Sequence, residues 1–269
     1  MAEPFLKWVG GKRQLLDVIS RKMPRHFSRY YEPFLGGGAV FFRFLPKRAF
    51  INDSNQALMN TYQQIRDNCH LVLSYLSDLD QALSAEFYYF IRSDFNARVK
   101  RGVYDASLAA EMIFLNKHCF NGLFRVNKKG EFNAPFNGSK VSSFNRRQIL
   151  DVSHALQDAF MTCKDFEEAV SDAGADDFVF FDSPYAPLNP TSFRSYTKEG
   201  FKKEDHIRLA EVFTRLVNRG AYCMLTNHNT PFIRELYREY HQEVLPVKRM
   251  INRDAKHRVG EEIIITNFL

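Results

Sequence analysis

Residues 178–188, FVFFDSPYAPL, carry four apolar side chains without a break into an acid, a serine, a proline and a tyrosine. A strand apolar at every position is buried on both faces. The acid that ends it, Asp182, therefore stands at the carboxyl edge of a sheet, where open α/β folds bind ligands. Pro184 constrains the following turn and restricts Ser183, and Tyr185 brings a flat ring to the same edge. An acid and a backbone carbonyl together accept both hydrogens of an exocyclic amine, while the ring stacks on the base that bears it. Held in a pyramidal geometry, such a nitrogen regains the lone pair that its ring delocalises. The substrate this implies is a nucleobase.

Two further stretches could bind a partner for that chemistry. Gly36–Gly38 lie between the apolar stretches YYEPFL and AVFFRFL, as strand, glycine turn and helix, which lets a ligand approach the backbone at a helix N-terminus. The spacing is not GxGxxG, but Asp53 closes the next short strand, RAFIN, where a carboxylate can accept both hydroxyls of a ribose. Glycines plus acid favour an adenosine-containing ligand. The plainer alternative makes Gly36–Gly38 a tight turn and Asp53 or Ser54 the cap of the helix that follows. FLKWVGGKRQ, residues 5–14, places Lys7, the sole tryptophan Trp8, and Lys12 around Gly10 and Gly11. It does not fit GxxxxGK[ST], so it is no phosphate-cradling loop, but it reads as a binding segment.

These residues need a frame. Residues 60–116 repeat Leu, Tyr and Phe at three- and four-residue intervals and predict helices. Residues 118–140, HCFNGLFRVNKKGEFNAPFNGSK, interleave aromatics with Asn, Gly, Pro, Lys and Arg and predict a hairpin and loop surface. Alternation then returns: a helix near 148–158, the strand AFMTC, a helix through FEEAV, the strand FVFFD, a helix over about 202–219 and the strand AYCML. This order predicts an open, mainly parallel α/β sheet. EVLPVKRM and EEIIITNFL, joined by the basic turn INRDAKHRVG, predict an antiparallel hairpin at its edge.

Of the 269 residues, 45% are apolar and 25% charged, which excludes a mostly disordered chain. No segment approaches the roughly 18 continuous apolar residues of a membrane span, and the expected location is the cytoplasm. The four cysteines show no CxxC or Cys–His ligand spacing, so reduced thiols and no metal are expected. A formal net charge of +6, with a pI near 9.1, suits a polyanion partner.

In the order FLKWVGGK, YYEPFLGGG, IND, FNGLFRVNKKGEFNAPF and DSPYAPL, the chain resembles the DNA adenine methyltransferase family, the D12 or alpha group of S-adenosylmethionine-dependent methyltransferases. The resemblance covers most of the chain. It implies a Rossmann-like methyltransferase sheet, residues 1–58 and 142–269, with an inserted helical target-recognition domain, residues 59–141. It implies that Trp8, Gly10, Gly11, Lys12, Phe34, Gly36 and Gly38 line the S-adenosylmethionine site, that Asp53 holds the ribose, and that Asp165 and Phe166 bracket the cofactor adenine. A plain helix cap by Asp165 is the rival for that last assignment. Asp182 and the Ser183 carbonyl would bind the target N6, Tyr185 would stack on the flipped base, and S-adenosylhomocysteine would be the second product. Ser183 stands where the family has the first proline of Asp-Pro-Pro-Tyr, which predicts a working but looser turn. Phe120, Asn121, Leu123 and Arg125 match the recognition hairpin, and Lys7 a lysine at the first base of the site. Lys128, Lys129 and Lys140, with Arg249, Arg253, Lys256 and Arg258, would meet phosphates of double-stranded DNA.

The expected activity is N6-methylation of adenine, within GATC, by a bacterial or phage-encoded monomer without an obligate protein partner, acting alone or in a restriction-modification system. Two alternatives stay open: N4-methylation of cytosine, whose amine poses the same problem, and a nucleic-acid-binding protein with a decayed site.

Overall fold

The computed structural model describes residues 2–8, 12, 14–188, 201–248 and 259–268. Its strands are Tyr30–Glu32 (β1), Ala49–Asn52 (β2), Phe160–Thr162 (β3), Phe178–Phe181 (β4), Tyr222–His228 (β5), His241–Lys248 (β6) and Val259–Thr266 (β7). They form one sheet in the order β3-β2-β1-β4-β5-β7-β6. The first five pair in parallel, and β7 runs antiparallel to β5 and β6. The mainly parallel sheet with an antiparallel edge hairpin is therefore observed. The basic residues Arg249, Arg253, Lys256 and Arg258, placed by the sequence in the turn of that hairpin, lie outside the described residues.

Strand order runs outward in both directions from the β1–β4 pair, so the topological switch falls between these strands. In open α/β sheets that is where a crevice for ligands forms. β1 ends at Glu32, earlier than the stretch YYEPFL suggested, because the chain then turns through Pro33.

Each face of the sheet has its own apolar layer. Alternation along β4 sends Phe178 and Phe180 to one side and Val179 and Phe181 to the other, all four fully buried. The first layer is built from helices Leu16–Lys22 (α1), Ala39–Phe44 (α2), Gln56–Asp67 (α3), Cys69–Gln81 (α4), Ala85–Lys100 (α5), Ala106–His118 (α6) and Arg146–Ala155 (α7). The second uses Phe166–Ala169 (α8), Lys203–Asn218 (α9) and Pro231–Leu236 (α10). Burying one such phenylalanine contributes about 1.5–3 kcal/mol, so the uninterrupted apolar strand is what fixes β4 at the centre. The next residue by the same alternation, Asp182, faces the first layer.

Helix starts follow side-chain caps. Ser84, Asp105, Asn145 and Thr230 accept from the backbone N–H three residues on. The cap of α3 corrects the sequence reading: Asn55, not Asp53 or Ser54, accepts the Leu58 N–H at 3.1 Å. Asp53 is already committed elsewhere, as described below. Residues 60–116 are helical as predicted, across α3 to α6. Their buried side chains, including Tyr62, Tyr88 and Phe114, belong to the same apolar cluster as Tyr30 and Phe178 of the sheet.

The segment after α6 folds back as a hairpin, with antiparallel bridges Cys119–Phe136 and Val126–Phe132. α5 holds it: the Asn96 side chain accepts from Phe132 N at 2.8 Å and donates to Phe132 O at 3.0 Å, and Tyr88 OH donates to Ala134 O at 2.9 Å. No helix among the described residues is long and apolar enough to cross a membrane.

Candidate active site

Asp182 leaves β4 at the switch point and meets a lysine. Lys12 Nζ lies 2.5 Å from Asp182 Oδ1, and the lysine side chain is only 3% exposed while that of Asp182 is 21% exposed. The same ammonium sits 4.5 Å from the centroid of the Tyr185 ring. Thr226, on β5, adds a hydroxyl donor to Asp182 Oδ1 at 3.2 Å. Burial raises the carboxyl above its ordinary range, and Lys12 followed by Thr226 opposes that rise. A cationic donor on the acid and over the ring has the same two contacts that an exocyclic amine of a base would make, donor to carboxylate and face to tyrosine.

The turn Asp182–Ala186 is tied to β5 by Asn227, which is fully buried. Its Oδ1 accepts the Ala186 N–H at 2.9 Å, and its Nδ2 donates to Ser183 Oγ at 3.4 Å. Ser183 is 2% exposed, so its hydroxyl occupies the interior of the turn. His228 Nδ1 adds a 2.8 Å bond with Ala186 O. These bonds supply restraint where proline's fixed φ is missing.

Tyr185 is held at its far end. Its hydroxyl donates to Glu262 Oε2 at 2.6 Å, and the His228 ring meets it edge-on at 4.8 Å. Glu262 reaches it because the antiparallel register of β5 and β7 sets Glu262 opposite His228. Burial, with the charges of Asp182 and Glu262, keeps the phenol protonated.

Glu32 is the acid that sequence reasoning missed. It ends β1, is 2% exposed and accepts the Tyr30 hydroxyl at 2.7 Å. Burial pushes its carboxyl up to about 8, against the Tyr30 hydrogen bond, and Asp182 raises it further. An acid inside the apolar stretch YYEPFL was the available signal, as the pair EEIII was for Glu262.

The glycine turn is shaped by contact. Gly36 has φ +50°, and a Cβ there would stand 2.8 Å from Trp8 Cδ1; Gly38 has φ +68°, with Phe42 Cε2 at 2.8 Å from its would-be Cβ. Only glycine fits both demands. Asp53 locks the turn from below: Oδ2 accepts Gly36 N–H at 2.9 Å and Oδ1 accepts Asn55 N–H at 2.9 Å. Tyr62 OH donates to Gly36 O at 2.9 Å. Burial raises the Asp53 carboxyl, and the two amides counter it. Each carboxylate oxygen keeps a second lone pair for another donor. Phe34 stacks on Phe166 at 5.3 Å and meets Phe201 edge-on at 5.9 Å, forming an aromatic wall beside the turn.

Asp165 caps α8 through Glu167 N–H at 3.0 Å and pairs with Arg208 through both oxygens, at 2.7 and 2.8 Å. Arg208 also lies 4.2 Å from the Phe166 centroid. The cap that rivalled a cofactor role is thus present.

Gly10 and Gly11 lie outside the described residues. Lys7 and Trp8 lie against the hairpin: Trp8 stacks on Phe124 at 5.1 Å with planes 16° apart. Phe120 is 55% exposed, and Asn121 bends the chain with φ +59°. Leu123 is half-buried; Arg125 is exposed and donates to Asn133 Oδ1 at 2.8 Å. Lys128, Lys129 and Lys140 are exposed.

A sheet whose switch point carries an acid-led turn, a glycine loop and a basic hairpin finds its class in the family comparison. The model of the D12 class N6 adenine-specific DNA methyltransferases matches residues 8–252, and the chain belongs to that family. It is an adenine-specific DNA methyltransferase by family, which sets aside the cytosine alternative. It is 41% identical to the type II methyltransferase M.MjaIII of Methanocaldococcus jannaschii, over 99% of both chains. To the type II methyltransferase M1.LlaDCHI of Lactococcus lactis subsp. cremoris it is 39% identical, over 98% of this chain and 95% of that one. The DNA adenine methylase of Escherichia coli K12 is 32% identical, over 94% and 91%.

Proposed function

We propose that the chain transfers the methyl group of S-adenosylmethionine to N6 of an adenine turned out of double-stranded DNA, within GATC. The observation that carries this reading is the donor placed between Asp182 and Tyr185, a position an adenine amine fills when it displaces the Lys12 ammonium. Asp182 and the Ser183 carbonyl accept the two N6 hydrogens, and Tyr185 stacks on the base. Holding those acceptors fixed before the base arrives spares reorganisation in the transition state. Once N6 carries a fourth substituent its acidity rises steeply, and Asp182 is within reach of the departing proton.

S-adenosylmethionine supplies an electrophilic methyl on a sulfonium centre. The residues present fit it: the side-chain-free backbone at Gly36 and Gly38 leaves room for close approach, Trp8 flanks it, and Asp53 has lone pairs for ribose hydroxyls. Phe34 and Lys12 border the methionine end. An adenine bracket at Asp165 and Phe166 requires Asp165 to exchange one Arg208 bond for an amine. Residues 59–141 form the target-recognition part, with Lys7, Phe120, Asn121, Leu123 and Arg125 meeting base edges and Lys128 and Lys140 meeting phosphates. The protein works as a monomer in the cytoplasm of a bacterial or phage-infected cell.

The test is modified-base sequencing of genomic DNA from a methylation-deficient host expressing the chain. N6-methyladenine in GATC is expected; methylation at another motif overturns the site, and no modified adenine overturns the reading.

A further inference from the structure

Asn116, near the end of α6 and 2% exposed, uses its whole amide on other parts of the chain. Its Oδ1 accepts the Lys7 N–H at 2.8 Å, and its Nδ2 donates to Lys7 O at 2.9 Å and to Gly122 O at 3.3 Å. One side chain thus acts as a neighbouring strand for a single residue and ties that residue to the start of the hairpin. The fit is close: a Cβ at Gly122 would fall 2.3 Å from Lys7 Cδ.

Trp8 continues the junction. One side of its ring stacks on Phe124 of the hairpin, and its Cδ1 presses on Gly36 of the glycine turn. Segment 7–8, hairpin 120–124 and turn 36–38 therefore meet around two adjacent residues. Asn116 is the buried polar group that fixes where they meet.

We propose that Asn116 is a positioning residue that sets the register between Lys7 and the hairpin, so that both read DNA as one surface, and that Trp8 carries this register to the cofactor turn. The proposal rests on the reading that Lys7 and the hairpin meet DNA and that Gly36 borders the cofactor. Its consequence is a coupling: cognate duplex and cofactor strengthen each other's binding, and by linkage the enhancement is the same whichever is added first. Loss of a group that only stabilised the fold would lower the melting temperature without touching that enhancement or the choice of bases.

The experiment measures the affinity of S-adenosylhomocysteine with and without a duplex carrying the site the wild-type protein methylates. It also measures the site consensus on a randomised plasmid library. Wild type is expected to bind several-fold tighter with the duplex. Asn116→Ala is expected to lose the enhancement and to relax discrimination about tenfold at bases read by Lys7 or the hairpin, the scale of one base contact. Folded Asn116→Ala with the wild-type consensus and enhancement overturns the proposal. Phe124→Leu and Phe124→Tyr decide it if Asn116→Ala does not fold: leucine, which removes the stack on Trp8, should lose the enhancement, and tyrosine should keep it. Undiminished enhancement in Phe124→Leu overturns the Trp8 arm. Failure of the functional reading is seen separately, as wild-type protein that leaves adenine unmodified.

Discussion

Lys12 Nζ and Asp182 Oδ1 are 2.5 Å apart over the face of Tyr185, so the acid at the centre of the pocket rests on a cation of the same chain. The pair has a chemical signature. Asp182 must be ionised to accept from an amine, and Lys12 is the main influence holding its raised carboxyl down. Lys12→Met should push Asp182 higher still, so the acid limb of the pH–rate profile moves to higher pH and part of the lost rate returns on the alkaline side. A profile of unchanged midpoint contradicts this. Asp182→Asn should lower turnover by about 10³ while duplex binding survives, as for loss of a group that acts on the reacting atoms.

Glu32 predicts a stability effect with a definite sign. Its folded carboxyl titrates near 8, above the ordinary carboxylate value, so between those two pH values the folded state holds a proton that the unfolded state has released. Stability must therefore fall as pH rises across that window, by up to a few kcal/mol. Glu32→Gln keeps an acceptor for Tyr30 and removes the titration. Chemical denaturation at pH 5 and pH 8 should show a smaller difference for the variant than for wild type.

Tyr185 separates stacking from anchoring. Tyr185→Phe keeps the ring and loses the hydroxyl with its bond to Glu262, and should cost a few-fold in kcat/KM. Tyr185→Ala loses the platform, worth about 1–3 kcal/mol per stacked base, and should cost roughly tenfold to a hundredfold. Equal losses in single-turnover assays of the two variants would exclude a stacking role.

The turn predicts an order among three substitutions. Asn227→Ala leaves the buried Ala186 N–H without its acceptor and should destabilise by about 1–3 kcal/mol. Ser183→Ala gives up only a 3.4 Å bond and should be mild. Ser183→Pro restores a fixed φ and should raise turnover or cofactor affinity, or both; a variant identical to wild type in both shows that Asn227 already rigidifies the turn fully.

Gly36→Ala meets two obstacles, a φ of +50° and the Trp8 ring. Calorimetric titration with S-adenosylhomocysteine should show at least tenfold weaker binding while the protein still unfolds cooperatively.

What the sequence disclosed follows from where information is local. Asp182, Gly36 and Asp53 announce themselves because each closes a short apolar stretch, with Pro184 two positions past Asp182 and two further glycines past Gly36. The alternation of strands and helices likewise needs only near neighbours. Glu262 acquires its role through the β5–β7 register, and Asn116 through its bonds to Lys7, 109 positions away, so local sequence marks neither role. The cap of α3 shows the limit at short range too. Three polar residues, Asp53, Ser54 and Asn55, compete for one role, and the winner is decided by Gly36, which claims Asp53 from the glycine turn after β1.

The anchor of Tyr185 has a consequence for synthesis. Glu262 lies on β7, 77 residues beyond the ring it holds. A chain still emerging from the ribosome presents Lys12, Asp182 and Tyr185 before β7, the antiparallel partner of β5, exists. A product cut after residue 248 keeps every group that would touch the base, yet its ring has no fixed end and β5 shows a bare edge. Fixing the ring therefore requires a chain made through Glu262 and paired along β5.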